Sequence, residues 1–306
     1  VVSLRVGSME LPLTFYAISE SQGNAHMLVL GAAHSGADTT YDAWLVRLPD
    51  GNYEQSWARN SRAAHIERAM NNALQKAVPC TIDMDKGFTA PITAAGVGPP
   101  NLAFQVDRAS GRSIFAAPET GVPKASQNPA KILFNIDVKP VSVSGPPEDR
   151  FVQAQIDTST NLQLRLGWQL GFRAAEYSVL DAAGKPAQWA GGVGVASEAP
   201  CHISGPRYGL LSIDDHQRNA STSFTVAFGE SSLDSNIISR INLAPSLSSD
   251  GVYQSIDAPG LTTTLNRTRE YFGPVNIQRL HVRLLDEYGR VIDLNGCDWS
   301  FSLALR

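Results

Sequence analysis

The sequence predicts an all-β fold, an antiparallel β-sandwich with one long inserted helix and extra β-hairpins. Three observations predict it. About fourteen short apolar runs, rich in branched and aromatic residues, carry strand-like patterns. Gly, Pro, Ser, Asn and Asp separate them as turn chemistry. A single segment has a long helical period. No strand–helix–strand alternation is present, which argues against a parallel doubly wound sheet. No short internal repeat argues for a propeller or solenoid. What remains is a sandwich of jelly-roll type.

The elements follow in order. LPLTFYAI (11–18), HMLVLG (26–31) and YDAWLVRL (41–48) read as strands, and Pro49-Asp-Gly-Asn52 as a turn. A helix is expected over about 61–78, capped by Ser61 and closed by Pro79. Ile66, Met70, Ala73, Leu74 and Ala77 form its apolar stripe, which should lie against a sheet. Residues 87–101 read as a loop, and 102–117 as a hairpin turning at Asp107–Gly111. Ile132, Phe134, Ile136 and Val138 alternate along one strand, before a turn at Gly145-Pro-Pro147. NLQLRLGWQLGFR (161–173) starts as a strand and ends in a Gly-punctuated apolar segment. Residues 181–207 read as turn-rich, 208–214, 222–229 and 236–244 as strands, and 245–270 as a loop.

The C-terminal stretch is the most regular part. Val275 and Ile277 set one phase of alternation, and Leu280, Val282 and Leu284 set the other, as across a β-bulge. Asp286-Glu-Tyr-Gly289 reads as a turn with Gly289 at positive φ. Val291–Leu294 returns, and Asn295-Gly296 is a strong two-residue turn signal. Trp299, Phe301, Leu303 and Leu305 then alternate with small residues on a final strand.

Composition narrows the function class. The 306 residues are 43% hydrophobic and 18% charged, enough for a real core without staples. The expected organisation is one domain over 1–306 with insertions, with a sub-boundary near 140–150. A net charge of −4 and a pI near 5.9 argue against a nucleic-acid-binding surface. Cys80, Cys201 and Cys297 are odd in number and widely spaced. They suggest neither a disulfide framework nor a zinc site, and a reducing folding compartment. Asn219-Ala-Ser221 and Asn266-Arg-Thr268 are sequons of the kind chance supplies. No apolar run is long enough to span a membrane, and no signal peptide opens the chain. Its first residue, Val1, implies an upstream segment.

At this point the residues resemble a family. The run from Arg269 to Leu303, with YFGPV, LLDEYGR and IDLNG followed by DWSFSL, resembles the C-terminal segment of jelly-roll penton and minor capsid proteins. Those proteins belong to nucleocytoplasmic large DNA viruses, virophages and polinton-like viruses. LPDGNYEQ and the following helix, FQVDRASGRSIF (104–115), and LGWQLGFR (166–173) are similar to further blocks of that family, in the same order. The resemblance implies a non-enzymatic structural protein of the virion capsid, made in the host cytoplasm or nucleus. It implies self-association, as a homopentamer at a vertex or alternatively a trimer, and contact with the major capsid protein. It implies no cofactor, no metal, no direct nucleic-acid partner and no membrane span.

Catalytic signatures are missing. There is no G-x-S-x-G, no P-loop and no H-E-x-x-H. Asp214-Asp215-His216 is the densest ionisable cluster and reads as a solvated strand-end loop. A glycosidase-like enzyme would use it, or the acids Asp286-Glu287 and Asp293/Asp298, which read as turns. Asp83-Met-Asp85-Lys-Gly87 lacks the closing ligands of a calcium loop. Arg165, Arg173, Arg269 and Arg283 are candidate interface or buried-pair arginines. Trp44 and Trp299 sit in strand patterns and read as core. Trp57 and Trp189 sit in turn-rich segments and are candidate contacts for a neighbouring subunit or a ligand. The alternative function is a receptor- or carbohydrate-binding β-sandwich module of a viral spike, using those two tryptophans.

Overall fold

A computed structural model describes residues 1–33, 40–54, 64–85, 87–91, 100–116, 130–140, 152–157, 159–179, 188–189, 192–203, 205–217, 227–228, 231–232, 236–243, 253–255 and 268–306. Among them are twenty-three strands and two short α-helices. Every strand pairing is antiparallel except Tyr53–Glu54 with Ala64–His65. The class is therefore all-β, and no sheet among the described residues closes on itself.

The chain forms two compact units, Val1–Tyr16 with Ser204–Arg306, and Ala17–Ile203. Residues 140–150 fall inside the second of these.

The second unit is built on a six-stranded sheet. Its order is Glu176–Ser178, Lys131–Leu133, His26–Ala33, Thr40–Arg47, Val78–Asp83, Gly87–Pro91. Both faces of this sheet are covered. Met27, Val29, Trp44, Val46 and Ile132 enter one core, and Leu28, Leu30, Ala43, Leu45 and Cys80 enter another. That is why HMLVL and AWLV read as unbroken apolar runs, with no polar face to alternate. The first core is closed by the hairpin Ala103–Val106 and Arg112–Ala116, by helix α1 (Ile66–Gln75) and by helix α2 (Leu166–Gln169). Its centre is aromatic. Phe115 lies 5.0 Å from Phe104 and 5.6 Å from Phe172, and Phe172 lies 5.0 Å from Phe134. The second core is covered by the hairpin Ile136–Pro140 and Val152–Ile156.

In the first unit, Ser3–Pro12 pairs with Tyr253–Ser255, Thr268–Glu270 and Ser300–Leu305. A second sheet has the order Ile237–Asn242, Tyr208–Asp214, His281–Leu285. Leu4, Val6, Met9 and Leu11 from the one, and Leu211, Ile213, Ile241 and Leu284 from the other, share one core. This is the sandwich arrangement that the alternation predicts.

Several expectations need correction. The helix covers Ile66–Gln75, shorter than 61–78. Its N-cap is His65, whose Nδ1 accepts from the Glu67 N–H at 3.3 Å. Ala64–His65 are held extended by pairing with Tyr53–Glu54, so the helix cannot begin earlier. Ser61 lies outside the described residues. Lys76 ends the helix, and Val78–Asp83 is already a strand. The first strand is Ser3–Pro12 and not 11–18, because Leu4, Val6, Met9 and Leu11 carry the inward face. Of residues 13–18, Ile18 alone makes a bridge, to Gly51.

Residues 87–91 and 192–200 are strands, where loops were expected. Gly and Pro there are tolerated because cross-strand partners supply the order. Short strands at 253–255 and 268–270 likewise interrupt the expected loop 245–270. Leu162–Leu164 is a 3-10 turn and Leu166–Gln169 helical, where a strand was expected to start. Asn161 caps that turn by accepting from the Gln163 N–H at 3.0 Å. The alternating run 131–143 is two strands, Lys131–Leu133 and Ile136–Pro140, which pair with different partners. Residues 274–280 form no strand. The turn at 145–147, most of 222–229 and Asn219 and Asn266 of the sequons lie outside the described residues.

Candidate functional site

The most organised polar cluster stands at the end of strand Tyr208–Asp214. Asp215 follows the strand and is buried. Arg269, on Thr268–Glu270, donates from Nη1 to Asp215 Oδ2 at 2.8 Å. Tyr271 donates its hydroxyl to the same oxygen. Asp215 Oδ1 accepts the Gln217 N–H at 3.0 Å, and Arg269 Nη2 donates to the Asn236 carbonyl at 3.2 Å. Burial opposes ionisation of Asp215. The bonds from Tyr271 and Arg269 overcome it and hold the carboxyl below its usual range. Burial and the adjacent carboxylate push the Tyr271 phenol up. The solvated loop expected at 214–216 is therefore wrong for Asp215, because Arg269 supplies the charge that lets it go inside. His216 beside it is exposed and takes a positive φ of 57°.

A second ion pair, with a buried arginine and a half-buried aspartate, lies in the other unit. Arg165, just before α2, is buried and donates to Asp157 at 2.6 Å and to the Gly23 carbonyl at 3.3 Å. Gln169 on α2 donates to the Ala17 carbonyl at 3.0 Å. The helical block 162–169 thus pins the turn 17–24. Burial opposes the charge on Asp157, but hydrogen bonds from Ser159 and Thr160 hold its carboxyl far below the usual range.

Arg173 stands 3.9 Å over the Trp168 ring and donates to the Trp168 carbonyl at 2.9 Å. Beside it, Tyr177 donates to Glu198 at 2.7 Å. Arg283 is half-buried on His281–Leu285, opposite Ser212. Within the second unit, Arg165 and Arg173 have separate partners. Arg165 and Arg269 are held by carboxylates of their own unit, and Arg173 by an aromatic ring. Trp57 lies outside the described residues, and Trp189 is described only as backbone, in the strand Gln188–Trp189. Trp44 is buried as expected, whereas Trp299 is half-buried and stacks on Phe301 at 5.2 Å.

Two acids of the C-terminal stretch are turn chemistry, while Glu287 accepts from Arg207 at 3.2 Å. Asp286 accepts from the Tyr288 and Arg290 N–H groups at 2.9 and 2.8 Å. Asp293 accepts from the Asn295 N–H at 2.8 Å. Asn295 and Gly296 both have positive φ, 54° and 72°, as their turn requires. Asp83 Oδ1 accepts from the Asp85 N–H, again a turn. Among the described residues, no group of three or more His, Cys, Asp or Glu side chains is placed to hold a metal ion. No helix among them is long and apolar enough to cross a membrane.

The sequence reading missed the partners Tyr271 and Asp157, since nothing local marks which distant residue meets a charge. It also missed the exposed apolar residues. Among the described residues, Val2, Tyr16, Phe272, Leu280, Val291 and Leu305 are exposed in the first unit, and Val78 alone in the second. Comparison of the chain with protein-family models, curated proteins and solved structures returned no match.

Proposed function

We propose that the protein is a structural subunit of a viral capsid, a penton or minor capsid component of jelly-roll type that self-associates and contacts the major capsid protein in the virion. The single observation that carries self-association is the set of exposed apolar side chains in one unit, with Phe272 at 79% exposure. A large aromatic side chain left this far in water fits a contact that another subunit covers. Two facts support the structural role. Asp286 and Asp293 cap turns, and the buried arginines brace the fold. The resemblance over 269–303 supplies the capsid context and the expectation of a pentamer, with a trimer as the alternative.

Native mass spectrometry and electron microscopy of the purified chain test this. A five-fold ring supports a penton, and a three-fold ring a minor capsomer. A chain that stays monomeric in solution and in the virion overturns the reading.

A further inference from the structure

The last strand, Ser300–Leu305, forms one flank of its sheet. Leu4 and Arg5 each pair with both Thr268–Glu270 and Ser300–Leu305. Glu10 pairs with both Tyr253–Ser255 and Ser300–Leu305. A strand has two edges, so Thr268–Glu270 and Tyr253–Ser255 share one edge of Ser3–Pro12, and Ser300–Leu305 holds the other. Among the described residues, no strand pairs with its outer edge.

The hydrogen-bond phase says which groups point outward. Arg306 donates to the Ser3 carbonyl at 3.0 Å, and Ser3 donates back to Arg306 at 3.3 Å. In an antiparallel ladder this places the N–H and C=O of Ser302 and Ala304 toward Ser3–Pro12. Those of Phe301, Leu303 and Leu305 then face the open edge.

Natural sheet edges are blocked by charges, prolines or bulges. Ser-Phe-Ser-Leu-Ala-Leu contains no charge and no proline. The one register shift of this ladder puts its extra residue in the partner strand, between Val6 and Met9. Among the described residues, the edge is thus left open to another strand.

We propose that this edge pairs antiparallel with the same edge of a second copy of the chain, about a two-fold axis through Ser302. Three features select that occupant and register. First, the outward-facing groups belong to odd-numbered residues, so odd must pair with odd. Centring on Ser302 places Phe301 opposite the partner's Leu303, and Leu305 opposite the partner's Trp299, matching apolar with apolar. Leu305, 51% exposed, gains an aromatic cover.

Second, the other face is small throughout. Ser302 meets its own copy, and Ala304 meets the partner's Ser300, so nothing obstructs the approach. Third, the charges alternate in the right sense. Arg5 lies beside Ala304, and Glu10 beside Ser300, whose Oγ donates to Glu10 Oε2 at 3.4 Å. Each row of the joined sheet then runs Arg5, Ala304, the partner's Ser300, the partner's Glu10, with opposite charges flanking it. This contact is distinct from a five-fold or three-fold ring interface and does not depend on the capsid reading.

The test uses the full chain. Wild type should contain an even number of copies by native mass, with any five-fold or three-fold ring doubled, and Ala304→Lys should halve that mass with an unchanged far-ultraviolet spectrum. Glu10→Arg should weaken the association, and Arg5→Glu with Glu10→Arg should restore it. In a Cys297→Ser background, Ser300→Cys and Ala304→Cys chains should give an intermolecular disulfide when mixed, and neither should do so alone. An unchanged mass for Ala304→Lys, a monomeric wild type, or no mixed disulfide overturns the proposal. Loss of the ring with the strand contact intact would overturn the capsid reading instead.

Discussion

Asp215 and Arg269 form a buried ion pair at 2.8 Å, joining the end of one sheet's central strand to a strand of the other sheet in the same unit. Tyr271 completes the pair from two residues further on. A buried pair costs desolvation on both sides, so its presence is weak evidence of net stability. Its removal by halves is another matter.

Asp215→Ala should therefore destabilise the first unit by about 3–5 kcal/mol, because it strands a buried guanidinium. Replacing both, as Asp215→Leu with Arg269→Met, should recover most of that loss. Denaturant unfolding of wild type, Asp215→Leu, Arg269→Met and the double variant gives the coupling energy. Equal losses in the single and double variants would refute the argument.

His26 makes stability depend on pH. It is buried on His26–Ala33 and pairs in register with Arg47. Burial first, then the charge of Arg47 and to a lesser extent Arg165, lowers its pKa to about 4, against a smaller opposing pull from Asp50. Glu20 is 3.9 Å away but is also bound by Arg47. The folded pKa is below the unfolded value of 6.5, so the unfolded chain binds the extra proton between these values. The contribution is full above pH 6.5 and is lost as pH falls toward 4, with a slope of up to about 1.4 kcal/mol per pH unit. His26→Gln should flatten this part of the stability curve. A curve with the same slope in wild type and variant would sink the assignment.

The depressed carboxyls of Asp157 and Asp215 act lower on the scale. Their folded pKa values are below the unfolded 3.8, so their stabilisation is present above that value and lost beneath it. Asp157→Asn should therefore weaken the second unit at neutral pH and reduce its further loss in acid below about pH 4. Thermal melts across an acid series measure both effects.

Two glycines at positive φ should behave differently. Gly171 has φ 94°, and a Cβ there would stand 2.1 Å from the Ala199 carbonyl oxygen. Gly296 has φ 72° and open space around it. Gly296→Ala should cost about 1–2 kcal/mol from backbone strain alone. Gly171→Ala should cost more, because the strand carrying Ala199 must move as well. Comparable melting temperatures for the two variants would contradict this.

Phe115 sits at the centre of the aromatic core, whereas Phe301 is half-buried on an edge strand. Phe115→Ala should cost about 3–5 kcal/mol, and Phe301→Ala clearly less. Unfolding free energies of the two variants decide it.

Much of this fold was legible locally. Met27 to Leu30, Trp44 to Val46, and the hairpin from Phe104 to Phe115 announced themselves because burial and turn chemistry leave local patterns. Asn295-Gly296 and Gly289 took the positive φ their residue types allow. The short strands 87–91 and 192–200 were illegible, because their order comes from partners and not from their own residues. The same holds for the helical block 162–169, whose Leu and Arg suit strand or helix alike until the turn 17–24 is packed beside it. For the candidate arginines, the sequence raised the residues and could not give their partners.

The sequence by itself determined the all-β class, the one longer helix and the turn sites, since each depends on residues near one another in the chain. Only the tertiary structure decided that Asp215 is inside with Arg269 and Tyr271, that Asp157 meets Arg165, and that Phe272 and Leu305 are left in water. Those outcomes depend on which distant surfaces meet. A charge is buried or an apolar side chain exposed by its neighbours in space, and strand pairing chooses those neighbours.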